Sequence, residues 1–275
     1  MLTAAIVAFW FATLLYSAAT VLYAYHFLSK RRPYSWYATF LTGAGFLCHT
    51  ASVGMRSVAE DGTRLDGPNQ LILLAWALVL VYFVVEHLIK LKVYGTIAVP
   101  AATVLMVVSQ LIGGRTAGSV SPLVENWKIG IHVALIVFAN AGFILGALAS
   151  LAYLVQERQL KGRKPSMLFK RLPSLANIDL LARRAIAFAF PAYTGGLLLG
   201  VVRAVETDPP GWWQDPRVML AGLVWAVFAV YLGLHYGERA SARTTASIAL
   251  VGVVLVVVLA VIARTVPAGF HVFGI

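Results

Sequence analysis

Trp127-Lys-Ile-Gly-Ile-His132-Val-Ala-Leu-Ile-Val-Phe-Ala-Asn140-Ala-Gly-Phe-Ile-Leu-Gly-Ala-Leu-Ala-Ser150-Leu-Ala-Tyr-Leu-Val-Gln156 decides the fold class. From Ile129 to Gln156 it carries no Asp, Glu, Lys or Arg. About 20 such residues, wound as an α-helix at about 1.5 Å per residue, cross a hydrocarbon core of about 30 Å. The stretch therefore reads as a membrane span over residues 128–155. A helix is the form that satisfies every backbone polar group without water.

The rest of the chain repeats this pattern. Of its 275 residues, 60% are hydrophobic and 12% charged, with a mean hydropathy of +0.82, outside the range of water-soluble domains. Further spans fall at 3–27, 35–55, 69–89, 94–112, 185–203, 217–236 and 245–264. Charged residues collect between them: Lys30-Arg31-Arg32, Glu60-Asp61, Lys90 to Lys92, Arg115, a basic segment over 157–184, Glu206 to Arg217, and Glu238 to Arg243. Charge is costly at the bilayer centre, so this confinement supports the division. The expected fold is an all-α integral membrane protein, a single domain over residues 1–275 built as a bundle of about eight transmembrane helices.

Orientation follows from the sign of the loops. With the N-terminus outside, the inner connections carry most of the 22 Lys and Arg, and the outer ones most of the 11 Asp and Glu. The positive-inside rule thus places both termini outside. The net charge of +11 becomes a topology signal and a contact with anionic membrane lipid, with no call for nucleic acid. The first span has no positive region before it, so it reads as a permanent helix and not a cleaved signal. The one cysteine, Cys48, lies inside a span and excludes a disulfide framework or a CxxC pair within this chain. Leu168, Leu172, Leu175 and Ile178, beside Lys170, Arg171, Arg183 and Arg184, have helical spacing and predict a basic amphipathic helix on the inner surface.

Function must rest on polar groups that a bilayer would otherwise exclude, and six histidines lie in or beside spans. His26, His87 and His235 fall at inner ends; His49 lies in the outer half of the second span; His132 opens the fifth at the outer face, and His271 follows the eighth on that side. Neutral imidazole is a strong axial ligand for haem iron, and two histidines from different helices can clamp a porphyrin. His132 with His271 is the candidate outer pair, with His49 below it. The outer loop over 204–217 adds Trp212-Trp213-Gln214-Asp215-Pro216-Arg217, whose indoles can pack on a porphyrin face and whose prolines stiffen the surface presenting them. Arg56, Arg203 and Arg264, at span boundaries, are candidates to meet propionates.

In order and spacing, several pieces resemble the cytochrome c assembly membrane proteins, the haem-handling superfamily that includes CcsA, ResC and CcmC. The pieces are His49-Thr50, Asn126-Trp127 leading to His132-Val133, Tyr153-Leu154 with Gln156-Glu157-Arg158, Leu172-Pro173-Ser174-Leu175 with Asp179, Trp212 to Pro216, Trp225, and Pro267 to His271. Nearly the whole chain is covered, and the likeness is nearest to the small eight-span branch of HemX and YpjD type. The resemblance implies that the outer loop is a tryptophan-rich haem-binding segment. Trp212, Asp215 and Pro216 match its usual core, whereas Trp213 and Gln214 stand where serine and the second tryptophan would be. It also implies that His132 and His271 are axial ligands to haem b. His235 stands about two positions further along its helix than the family's membrane histidine, a rotation of about 200°.

The expected function is haem binding and handling at the outer side of a bacterial cytoplasmic membrane, in support of cytochrome c maturation or haem homeostasis. Partners would be lipid, a cytochrome c assembly protein or a haem-biosynthesis enzyme. No large outer domain is evident to present apocytochrome cysteines, so an accessory role is expected over stand-alone ligation. The alternatives are a HemX-like regulator docking through the basic inner segment, a proton or small-solute transporter relaying through His49 and His235, and a structural subunit of a membrane complex. Against the transporter, the sequence offers no obvious buried acid within a span, no broken-helix signature and no inverted repeat.

Overall fold

The computed structural model describes residues 1–29, 32–59, 67–89, 95–112, 127–162 and 173–265. Among them it is helical almost throughout and contains no strand. Eight helices follow in order: α1 (Leu2–Ser29), α2 (Arg32–Ala59), α3 (Gly67–Ile89), α4 (Gly95–Ile112), α5 (Trp127–Lys161), α6 (Leu175–Thr207), α7 (Pro216–Tyr236) and α8 (Ala242–Thr265). A single 3-10 turn, Trp212–Gln214, precedes α7. The chain is thus an all-α membrane protein. Among the described residues, seven helices are long and apolar enough to cross a membrane. The eighth, α2, has the length, but Thr39, Thr42, His49, Thr50, Ser52 and Arg56 lower its apolarity. Large apolar side chains such as Leu14, Leu47, Leu111, Leu198 and Val254 are exposed, as expected where the outer face meets lipid rather than water.

The chain divides into two compact units. The first holds residues 1–122 with 155–177, and the second residues 123–154 with 178–275.

In the first unit the spans carry hydroxyls that hydrogen-bond across helices. Tyr23 of α1 meets Tyr82 of α3 (2.9 Å between hydroxyls) and Thr39 of α2 (3.0 Å). Ser52 of α2 donates to the carbonyl of Ala5 on α1 (2.8 Å), and Trp76 of α3 donates to the Thr50 hydroxyl (2.9 Å). A buried tyrosine needs such a partner for its polar end, so these bonds fix which face of each helix points inward.

The second unit packs through small residues. A methyl placed at Gly142 would stand 2.6 Å from Ala189 Cβ, and one at Gly146 2.5 Å from Ile186 Cγ1. On α6, a methyl at Gly196 would stand 2.8 Å from Ile136 Cδ1. The Gly142-xxx-Gly146 and Gly196-xxx-Gly200 pairs therefore let α5 and α6 approach closely, the usual solution where no hydrophobic effect drives helices together. Beside this seam Phe143 stacks on Phe228 of α7, with centroids 3.7 Å apart and planes 6° apart, and Gly252 of α8 gives that ring room.

One element differs from the sequence expectation. Leu175, Ile178 and Leu181 do not belong to a separate surface helix; they form the first turns of α6, and Ile178 and Leu181 are buried. Ser174 starts the helix by accepting from the Asn177 amide, and no glycine or proline interrupts it until Pro191. Residues 175–184 are accordingly the first turns of a spanning helix, which begins well before the expected position 185. Leu168 to Leu172 lie outside the described residues.

Candidate haem site

His132 is on the first turns of α5, facing α6. Its Nδ1 lies 2.6 Å from the carbonyl oxygen of Gly196. A carbonyl only accepts, so Nδ1 carries the proton and donates, which leaves Nε2 with its lone pair. Nε2 has no hydrogen-bond partner among the described residues. The ring lies over Gly200, where a methyl would stand 3.0 Å from Cε1 and 3.2 Å from Nδ1. Gly196 and Gly200, one turn apart, thus make a notch that holds the imidazole, one by its carbonyl and the other by lacking a side chain. A second-sphere carbonyl that fixes ring and tautomer in this way is the usual support of a metal-ligating histidine. The residues present suit an axial ligand to haem iron.

The tryptophan loop stands at the same end of the second unit. Asp208 (φ 42°) and Gly211 (φ 67°) take left-handed backbone, the second at no steric cost, and turn the chain from α6 into the 3-10 turn. Trp212 and Trp213 meet edge to face at 6.3 Å, with Trp213 60% exposed. Asp215 caps α7: its carboxylate accepts from the Arg217 amide at 2.9 Å, and Pro216 occupies the first helical position. The antiparallel pair α6 and α7 is pinned by Tyr193 donating to the Ala221 carbonyl (3.3 Å) and Trp225 to the Thr194 hydroxyl (3.0 Å). From the Tyr193–Ala221 rung, Gly196 lies about 5 Å toward the loop along α6 and Pro216 about 8 Å along α7, so His132 sits below the level of the loop.

Each of the other expected site residues has its own surroundings. His235 is at the far end of α7, about 29 Å along the helix from Pro216. There its Nε2 lies 3.6 Å from Asp179 Oδ2, and its ring stacks on Tyr231. His49 belongs to the first unit and is fully buried, its Nδ1 3.5 Å from the Tyr16 hydroxyl. A porphyrin face could reach it only if its neighbouring helices parted. Arg56 donates to Asn69 Oδ1 (3.0 Å). Arg203 Nη1 lies 3.7 Å from Glu206 Oε2, and Lys128 Nζ bonds Glu206 Oε1. His271 and the side chain of Arg264 lie outside the described residues.

Sequence reading missed three features. The glycine notch was written as Gly196-Leu-Leu-Leu-Gly200, a spacing that signals close helix approach. The Lys128–Glu206 pair had no signal, since its members are far apart in sequence. The third is an acid inside a span: Glu86, one turn beyond Tyr82 on α3 and within the expected span 69–89.

Comparison with known proteins points one way. The family model described as cytochrome C assembly protein matches residues 67–271. The chain is 27% identical over 245 residues to the cytochrome c biogenesis protein CcsA of Porphyra purpurea, covering 75% of this chain and 76% of that one. To the protein of that name in Prochlorococcus marinus (strain MIT 9303) it is 28% identical over 235 residues, covering 75% and 74%. To that of Mesostigma viride it is 26% identical over 230 residues, covering 75% of each.

Proposed function

The chain belongs to the cytochrome c assembly protein family, and on that premise we propose that it supports cytochrome c maturation by holding haem b at the outer leaflet of a bacterial cytoplasmic membrane, with His132 and His271 as axial ligands. The observation that carries this reading is the Nδ1 donation of His132 to Gly196, which leaves Nε2 as the free base that iron requires.

When bound, haem supplies a ligand-accepting iron in an apolar ring with two anionic propionates. Each part has a counterpart in this chain. His132 Nε2 offers the nitrogen, and the Gly196–Gly200 notch keeps its ring from turning. Trp213 presents an exposed indole, braced by Trp212, to cover one side of an apolar plane. Asp215 acts one step removed, holding the turn on the start of α7. His235 stands at the other end of α7, and we assign it no part in the outer site. The role we assign is that of a haem-holding partner in assembly rather than a ligase acting alone.

Protein purified from haem-replete cells tests this directly. It should show a low-spin Soret band of bis-histidine character, weakened in His132→Ala and in His271→Ala. A colourless protein that also fails to take up added haem would remove the proposal, and an unchanged spectrum in the double variant would remove the two ligands.

A further inference from the structure

Above His132 the seam between α5 and α6 ends in charge. Lys128 is one turn outward of His132 on α5, and Arg203 is three residues outward of Gly200 on α6, so the two cations flank the outer mouth of the groove that holds the imidazole. One carboxylate links them. Glu206 takes Lys128 on Oε1 and Arg203 on Oε2, using a different oxygen for each. All three side chains are partly exposed, so water and ligand can both reach them.

A carboxylate shared between an ammonium and a guanidinium is the arrangement a ligand carboxylate would also seek. In a haem ligated by His132, the charged propionate edge must turn toward water, which is outward, where Lys128 stands about 6 Å further along α5. The charges also count in favour of an exchange. Lys128, Arg203 and Glu206 sum to +1, and two propionates added to them would leave −1 at the membrane boundary. With Glu206 turned into solvent, where its charge is screened, each cation can face one propionate.

We infer that Glu206 is a placeholder carboxylate, which keeps Lys128 and Arg203 in position while no haem is bound and yields them to the propionates of an incoming haem. This inference rests on the assignment of His132 as a ligand. It adds Lys128 to the site and gives haem a reversible hold, because one carboxylate replaces another at each cation.

The test compares ferric haem with haem dimethyl ester, whose propionates carry no charge, each titrated into the full chain in detergent and followed by the Soret band. Wild type should bind the free acid about tenfold or more tightly than the ester. Glu206→Gln should tighten the free acid alone, and the Lys128→Gln/Arg203→Gln pair should erase the preference while leaving the ligand spectrum set by His132 unchanged. Equal affinities for acid and ester in wild type, a comparison that needs no variant, would overturn the inference with the His132 assignment intact. So would a Glu206→Gln protein that treats both forms as wild type does. If wild type takes up neither form, or if His132→Ala leaves the spectrum unaltered, the proposed function falls and this inference with it.

Discussion

The Nδ1 proton of His132 is held by the carbonyl of Gly196 at 2.6 Å, while Gly200, one turn further along α6, leaves open the volume its ring occupies. A backbone carbonyl cannot be removed by mutation, but the open volume can be filled. Gly200→Ala should raise helix propensity by up to about 1 kcal/mol and leave the fold standing. Its methyl would meet the imidazole at 3.0 Å, so the ring must shift. We expect weaker haem uptake in Gly200→Ala and none in Gly200→Leu, with thermal melting followed by circular dichroism as the control. A wild-type Soret titration in Gly200→Leu would show that the notch does not position the ligand.

Asp215 allows a cap to be separated from a ligand contact. As the N-cap of α7 it accepts from the Arg217 amide, a bond that asparagine can also make. Asp215→Ala should lower stability by about 1 kcal/mol, while Asp215→Asn should match wild type in both melting and haem binding. Loss of haem in a stable Asp215→Asn protein would assign the negative charge a direct part in the site.

In the first unit, Tyr82→Phe removes one hydroxyl from the Tyr23 cluster but leaves Tyr23 bonded to Thr39 at 3.0 Å. The Tyr82 hydroxyl also bonds the Glu86 side chain, which loses this partner, so the cost should be about 1–3 kcal/mol. Thermal melting followed by circular dichroism checks this, and an unchanged melting temperature would show that the hydroxyl contributes nothing to the first unit.

Topology can be read with a membrane-impermeant maleimide, since Cys48 is the one native thiol and can be replaced by serine. On that background Asp208→Cys should label in intact cells, and Ser241→Cys only after the membrane is opened; both positions are exposed. The opposite pattern would put the tryptophan loop in the cytoplasm and end the outer-leaflet reading.

The number and placement of the helices were legible because bilayer thickness imposes a length of apolar chain that little else in a sequence can mimic. The fifth span, expected at 128–155, is α5 at Trp127–Lys161; the seventh, expected at 217–236, is α7 at Pro216–Tyr236. The start of α6 was misplaced because Asp179, Arg183 and Arg184 resemble a loop when only charge is counted. Helix continuation depends instead on backbone breakers, and none lies between Ser174 and Pro191.

For the site, the sequence by itself determined which residues had the right chemistry: His132, the paired tryptophans, and the acid and proline that open α7. What surrounds each of them was decided by tertiary structure. The pairing of His132 with Gly196, and of Lys128 with Glu206, joins residues more than 60 positions apart, and no local pattern records it. The same packing closed His49 inside the first unit and left His235 beside Asp179 at the opposite end of α7. Hydropathy fixes where a helix lies along the membrane normal. The rotation of that helix, and hence which imidazole nitrogen is left free, is set by the small residues and hydrogen bonds at its contacts.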